Sequence, residues 1–312
     1  MAARATTKKK SSKKKAAPRK KAARKKAARK KVAKKPAAKR KAAAGRAAKT
    51  IRIVVVRAPG TNCDQETGYA FERFGAQIKH LHANALLDNP KELSRAHGLV
   101  IPGGFSFGDD LGAGTVLGTA MRTRLLDPLR RLVDKGGIVL GICNGFQVLV
   151  KTGLLPGYDE TGDGMPNRTV ALASNLQNRY EDRWITLKAV TSNSVFLKHG
   201  DTIHCPVAHA EGRLVCSEPT LDRMSAADQI ALRYIAPDGQ SPAPFPHNPN
   251  GSLDDIAGIT DPTGRILGLM PHPERNQFAW QDPRFHRGTA PRKPEGLKPF
   301  ENAMKHLKKT FS

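Results

Sequence analysis

The chain has 312 residues and a formal net charge of +26, but the charge is unevenly spread. Residues 1–50 hold 23 Lys and Arg and no acid, while the other 262 residues hold 30 basic and 27 acidic side chains. The basic pI therefore describes one segment, which excludes reading the whole chain as a nucleic-acid binder, and no stretch approaches the ~18 continuous apolar residues of a membrane helix.

The first segment is Lys/Ala low complexity, in which Lys20-Lys21-Ala22-Ala23-Arg24 repeats as Lys25-Lys26-Ala27-Ala28-Arg29. It has little to bury and its like charges repel, so residues 1–50 are expected to be a disordered basic tail. Its composition is similar to the tails of linker histones. Two readings stand equally: counterion-releasing contact with DNA, RNA or another polyanion, or a solvated extension. A mitochondrial presequence would favour Arg over Lys and an amphipathic face, and neither is found. Cys63, Cys143, Cys205 and Cys216 are widely spaced, and no apolar signal segment precedes them. A reduced, cytoplasmic protein is expected. The spacing of His204, Cys205, His209 and Cys216 matches no common zinc finger, so no metal site is expected.

From residue 51 on, strands alternate with helices. Ile51–Arg57 is a β-branched run suited to a central parallel strand. A turn over Ala58–Asp64 leads into a helix ending near Phe74, closed by Gly75. Ala76–His82 and Gly98–Ile101 are the next strands, the second running into Pro102-Gly103-Gly104. One helix is predicted over about Gly114–Asp134, followed by a strand at 137–142. Such alternation implies right-handed βαβ units and an α/β sheet flanked by helices, whose sites lie at the carboxyl ends of strands. After Gly153 the pattern becomes more antiparallel. Strands are predicted at Trp184–Val190, Ile203–Val207, Gln229–Ile235, Ile256–Thr260 and Arg265–Met270, a loop at Ala236–Asn250, and a last helix at Pro299–Thr310. Residues 51–312 are thus expected to form one domain beside the tail.

The stretch Gly141-Ile142-Cys143-Asn144-Gly145-Phe146-Gln147 ends an apolar strand in Gly-x-Cys-x-Gly and enters a helix at once. This is the thiol version of a nucleophile elbow. The sharp turn presents the sulfur, and the helix start aims N–H groups and a positive dipole end at it. A Cys nucleophile needs a His within reach and a third group to orient the ring. Pro271-His272-Pro273-Glu274 offers both at the end of another apolar strand. His209-Ala210-Glu211 has the same spacing and is the rival pair. Acyl transfer also needs N–H donors for the oxyanion. Gly103-Gly104 lets the backbone approach closely, and the Asn144 N–H is the natural second donor.

These residues resemble the class I glutamine amidotransferases, whose flavodoxin-like fold the resemblance implies. Pro59-Gly60-Thr61-Asn62-Cys63-Asp64, Gly103-Gly104-Phe105-Ser106-Phe107-Gly108-Asp109 and Asn248-Pro249-Asn250-Gly251-Ser252, with the elbow and Gly268–Arg275, narrow the likeness. In that order they resemble the glutaminase-subunit family of phosphoribosylformylglycinamidine synthase, over about Ile51 to the C-terminus. The resemblance implies glutamine as substrate and Cys143, His272 and Glu274 as catalytic residues. On the residues themselves, backbone groups at Gly104 and Asn144 would hold the oxyanion, and Gly103 and Gln147, the latter by its place one turn beyond the elbow, are the candidate substrate contacts. The resemblance further implies ammonia delivery to a separate synthetase subunit, with a small bridging subunit. ATP and magnesium would sit on the synthetase; this chain has no Walker loop and no cofactor of its own is expected. Two alternatives are a stand-alone cysteine hydrolase of the same fold and a polyanion-binding protein with a degenerate body. The family's Gly-Asp-Tyr-Leu-Arg is Gly108-Asp109-Asp110-Leu111-Gly112 here, and its His-Gly-Glu-Gly-Arg is His209-Ala210-Glu211-Gly212-Arg213.

Overall fold

The first strand, β1 (Arg52–Arg57), buries Ile53, Val54, Val55 and Val56 in succession, so both of its faces are covered. Each such side chain contributes about 1.5–3 kcal/mol when taken fully from water. A computed structural model of the chain describes residues 50–158, 160–161 and 164–312. The basic tail, apart from Thr50, lies outside the described residues.

Helix α1 (Asp64–Glu72) leads to β2 (Gln77–His82), which pairs parallel to β1 and alternates in exposure as an edge strand does. Helix α2 (Ala83–Asp88) and a short 3-10 turn precede β3 (Gly98–Ile101), parallel to β1 on its other side. The single helix predicted over Gly114–Asp134 is two, α3 (Thr115–Arg124) and α4 (Leu126–Asp134), meeting at Leu125. Pro128 explains the break. It has no N–H, so it is tolerated only in the first turn of a helix, and α4 starts just before it. Then come β4 (Ile138–Ile142), fully buried, and α5 (Asn144–Thr152).

The second half contains more structure than the apolar pattern announced. Strands β5 (Glu160–Thr161) and β6 (Met165–Pro166) form a small hairpin. Neither β7 (Val170–Ser174) nor β10 (Glu211–Cys216) was singled out in the sequence; they pair only with each other. Between them run β8 (Glu181–Ala189) and β9 (Thr202–His209), longer than predicted because their antiparallel ladder extends from Lys188↔Thr202 to Glu181↔His209. Helix α6 (Glu218–Ala226), also unforeseen, precedes β11 (Ile230–Tyr234). Last come β12 (Ile256–Thr260), β13 (Ile266–Leu269) and α7 (Lys298–Phe311).

Among the described residues, nine strands form one mixed sheet in the order β2-β1-β3-β4-β13-β12-β11-β8-β9. The first five are mutually parallel and the rest antiparallel. No helix among the described residues is long and apolar enough to cross a membrane. The pairing that matters most for the site is β4 with β13, in register at Gly141↔Gly268 and Ile142↔Leu269. Both strands therefore end together, and the chain leaving each emerges at one sheet edge.

Candidate active site

At that edge Cys143 turns the chain from β4 into α5 with φ 52° and ψ −108°, a conformation that costs a non-glycine residue about 1–3 kcal/mol. Its N–H still donates to Leu269 O at 2.8 Å, so the sheet ladder holds the strained residue in place. Gly145 makes the turn possible. A Cβ there would lie 1.8 Å from Ile101 O, so α5 can pack this close to β3 only with glycine. Asn144 opens α5, and the N–H groups of a first helical turn have no acceptor within the helix.

His272 leaves β13 through Met270 and Pro271, and its N–H donates to Pro206 O on β9 at 2.8 Å. The ring Nδ1 lies 2.6 Å from Glu274 Oε1, and both side chains are buried. Glu274 sits on a one-turn 3-10 helix, Pro273–Arg275, whose two flanking constraints, Pro273 and the backbone bond from Arg275 N to His272 O, leave it little freedom. With Nδ1 engaged by the carboxylate, Nε2 is the remaining ring nitrogen; it is buried and has no hydrogen-bond partner among the described residues. Burial works against a charged ring here, but Glu274, then Cys143 and Cys63, outweigh it and hold the His272 pKa well above that of a free imidazole.

Gly103 marks where these groups converge. A Cβ on it would lie 2.6 Å from His272 Cε1, 3.2 Å from Cys63 Sγ and 3.4 Å from Cys143 Cβ. A small cavity of about 60 Å³ opens there, bordered by Cys143, His272, Gly104, Asn62, Phe105 and Tyr180. Ala208 also borders it, with its carbonyl 3.7 Å from Cys143 Sγ. Gly104 has φ +136°, outside the range of ordinary L residues, and its N–H donates no hydrogen bond among the described residues.

Cys63 is the neighbour that sequence reasoning left without a role. Its Sγ lies 3.9 Å from His272 Nδ1, donates to Asn62 Oδ1 at 3.0 Å and accepts from Arg275 Nη2 at 3.0 Å. One ligand atom from each of Cys63, His272 and Glu274 falls within 4.8 Å, the make-up of a Cys-His-Glu triad. Its only sequence signal was its place in the segment Pro59–Asp64. It faces the ring nitrogen that Glu274 already holds, and burial pushes its thiol pKa up.

Gln147 Oε1 accepts from Asn144 Nδ2 at 3.0 Å and its Nε2 donates to Glu211 O at 2.5 Å, which links the elbow to β10. The rival pair is separated. His209 bonds Asn175 Oδ1 at 3.1 Å, while Glu211 Oε2 accepts from Ala113 N at 3.3 Å. Consecutive residues of β9 point to opposite faces, so His204 and Cys205 cannot serve one metal ion together.

Burial, with a contribution from His272, pushes the His209 pKa down to about 3. A base whose folded pKa lies below its unfolded 6.5 contributes stability at higher pH that is lost as pH falls from about 6.5 toward 3. The unfolded chain takes up a proton there that the folded chain does not. The slope from one such group is about 1.4 kcal/mol per pH unit. His209→Asn keeps a donor near Asn175 and is expected to flatten the acid limb. Urea midpoints at pH 7 and pH 5 should therefore differ less in the variant than in the wild type; an equal difference would contradict this.

A parallel-centred α/β sheet carrying a thiol on a strand–helix elbow beside an acid-held histidine is the architecture of the class I glutamine amidotransferases. Comparison with known proteins agrees. The CobB/CobQ-like glutamine amidotransferase domain matches residues 50–307. Phosphoribosylformylglycinamidine synthase subunit PurQ of Dehalococcoides mccartyi is 43% identical over 257 residues, covering 82% of this chain and 97% of that protein. The PurQ subunit of Methanococcus maripaludis is 39% identical over 272 residues, covering 83% and 98%. A chain from the structure of PurLQS of Thermotoga maritima superimposes with a TM-score of 0.60 at 27% identity, over 83% of this chain and all of that one. The chain belongs to the CobB/CobQ-like glutamine amidotransferase family and, within it, to the PurQ subunits of phosphoribosylformylglycinamidine synthase.

Proposed function

We propose that residues 51–312 are a glutaminase domain that hydrolyses glutamine to glutamate and ammonia, and that residues 1–50 are a separate basic tail. Cys143 Sγ attacks the side-chain carboxamide carbon of glutamine while its proton passes to His272 Nε2. The tetrahedral oxyanion accepts from the N–H groups of Gly104 and Asn144, neither of which donates to another acceptor among the described residues. His272 then protonates the departing nitrogen, so ammonia leaves and a γ-glutamyl thioester remains on Cys143. Water, deprotonated by the same nitrogen, attacks the thioester, and glutamate is released with the thiol restored. Glu274 keeps the proton of the ring on Nδ1 throughout, and Gly103 leaves room for substrate between thiol and ring. Gln147 supports the elbow through Asn144.

The ammonia passes to a partner synthetase subunit. That subunit uses ATP and magnesium to convert formylglycinamide ribonucleotide to formylglycinamidine ribonucleotide in de novo purine biosynthesis. The likeness to a chain of PurLQS supports a synthetase and a small bridging subunit as partners. What carries the reading is the convergence of Cys143 and His272 on Gly103, residues far apart in sequence, with the far ring nitrogen held by a buried carboxylate.

The closeness of Cys63 to the ring favours a second reading in which Cys63 is the nucleophile. One experiment separates them. The complex is given glutamine, quenched in acid and digested, and the γ-glutamyl adduct is mapped by mass spectrometry. The adduct is expected on the peptide carrying Cys143; finding it on Cys63 would overturn the assignment.

A further inference from the structure

We infer that Arg275 is the residue that selects for the α-carboxylate of glutamine, an assignment that rests on the glutaminase reading above. Apart from His272, Arg275 is the cationic side chain bordering the cavity. Glutamine reaches Cys143 as a zwitterion. Its carboxamide lies against the sulfur, and its carboxylate, three carbons away, must be matched by charge or lose solvation without return. A guanidinium suits that task, since its planar fork meets both carboxylate oxygens at once.

The side chain is already held for this. Nη2 donates to Cys63 Sγ at 3.0 Å, and Nε lies 3.6 Å from Glu66 Oε1. Nη1 has no hydrogen-bond partner among the described residues. Cys63 fits as the anchor. A buried neutral thiol offers sulfur lone pairs and so orients the guanidinium without cancelling its charge, as a second carboxylate would. Glu66 stands farther off, at 3.6 Å from Nε, and is partly exposed. The 3-10 turn Pro273–Arg275 thus has two outputs: Glu274 points inward to the imidazole, and Arg275, the next residue, points to the cavity. Binding of the carboxylate and alignment of the ring are set by one rigid segment.

The test uses the full chain with its synthetase partner and two substrates, L-glutamine and L-glutaminamide, which keeps the size but lacks the carboxylate charge. The readout is the ratio of their kcat/KM values. In Arg275→Gln that ratio is expected to fall about thirtyfold, chiefly through a higher KM for glutamine, as loss of a charge-assisted hydrogen bond predicts. Arg275→Lys keeps the charge without the fork and is expected to recover part of the ratio; it also carries the test if the Gln variant does not fold. An unchanged ratio in both variants, whether or not both substrates lose rate together, overturns the inference. If the wild-type complex hydrolyses neither substrate, the glutaminase reading itself fails, and the inference with it.

Discussion

Cys143→Ala is expected to lower glutamine-dependent synthesis by the complex by a factor on the order of 10⁴ or more, while ammonia-dependent synthesis stays intact. The size of the loss follows from the position of the sulfur. It sits on a strained turn that the β4–β13 ladder holds in place, beside a ring whose other nitrogen is engaged. No second thiol can substitute from the same side, because Cys63 meets the ring at the nitrogen that Glu274 occupies. The retention of ammonia use follows from the division of labour proposed above, in which only the release of ammonia needs Cys143. Side-by-side assays with glutamine and with an ammonium salt decide it. A parallel loss of both activities would place the defect in assembly rather than in chemistry.

Glu274→Gln is expected to reduce glutaminase turnover by about 10³–10⁴ while nearly preserving shape. A carboxylate at 2.6 Å can only accept from Nδ1–H, so Nε2 is left free to take the thiol proton. An amide can present its NH₂ to Nδ1 instead, which puts the ring proton on Nε2 and removes the base. The same change should alter stability in a pH-dependent way. The His272 pKa is held well above 6.5, so its interactions with Glu274 and Cys143 contribute fully below about pH 6.5 and fade as pH rises through the folded value. The variant is therefore expected to be most destabilised in acid and closest to wild type in alkali. Thermal melts at pH 6 and pH 9 check the sign; a larger deficit at pH 9 would refute it. This dependence is opposite to that of His209, whose buried neutral ring costs stability as the pH falls.

The β-branched run of β1, the strand into Pro102-Gly103-Gly104 and the glycine-flanked Cys143 were all legible because they depend on neighbours in sequence. Periodicity and turn chemistry act over a few residues, and each of these elements is stabilised by what adjoins it. The break at Leu125 was written locally too, in Pro128, though the apolar pattern ran across it. Strands β7 and β10 were not legible. They are short, and what makes them strands is mutual pairing across some forty residues rather than any propensity of their own.

The site divides in the same way. Residue types alone marked Cys143, His272 and Glu274 as able to supply a nucleophile, a base and an orienting acid. Only the tertiary structure showed that Cys63 Sγ stands near His272 Nδ1, that Gln147 bonds Asn144 and Glu211, and that Arg275 bonds Cys63 beside the ring. Those outcomes rest on the register of β13 against β4 and on the packing of the turn Pro59–Asp64 over Gly103. Chemical capacity is a property of a side chain and can be read one letter at a time. Proximity between residues 129 positions apart, as Cys143 and His272 are, or 209 apart, as Cys63 and His272 are, is a property of how the strands are ordered in the sheet, and no local pattern encodes it.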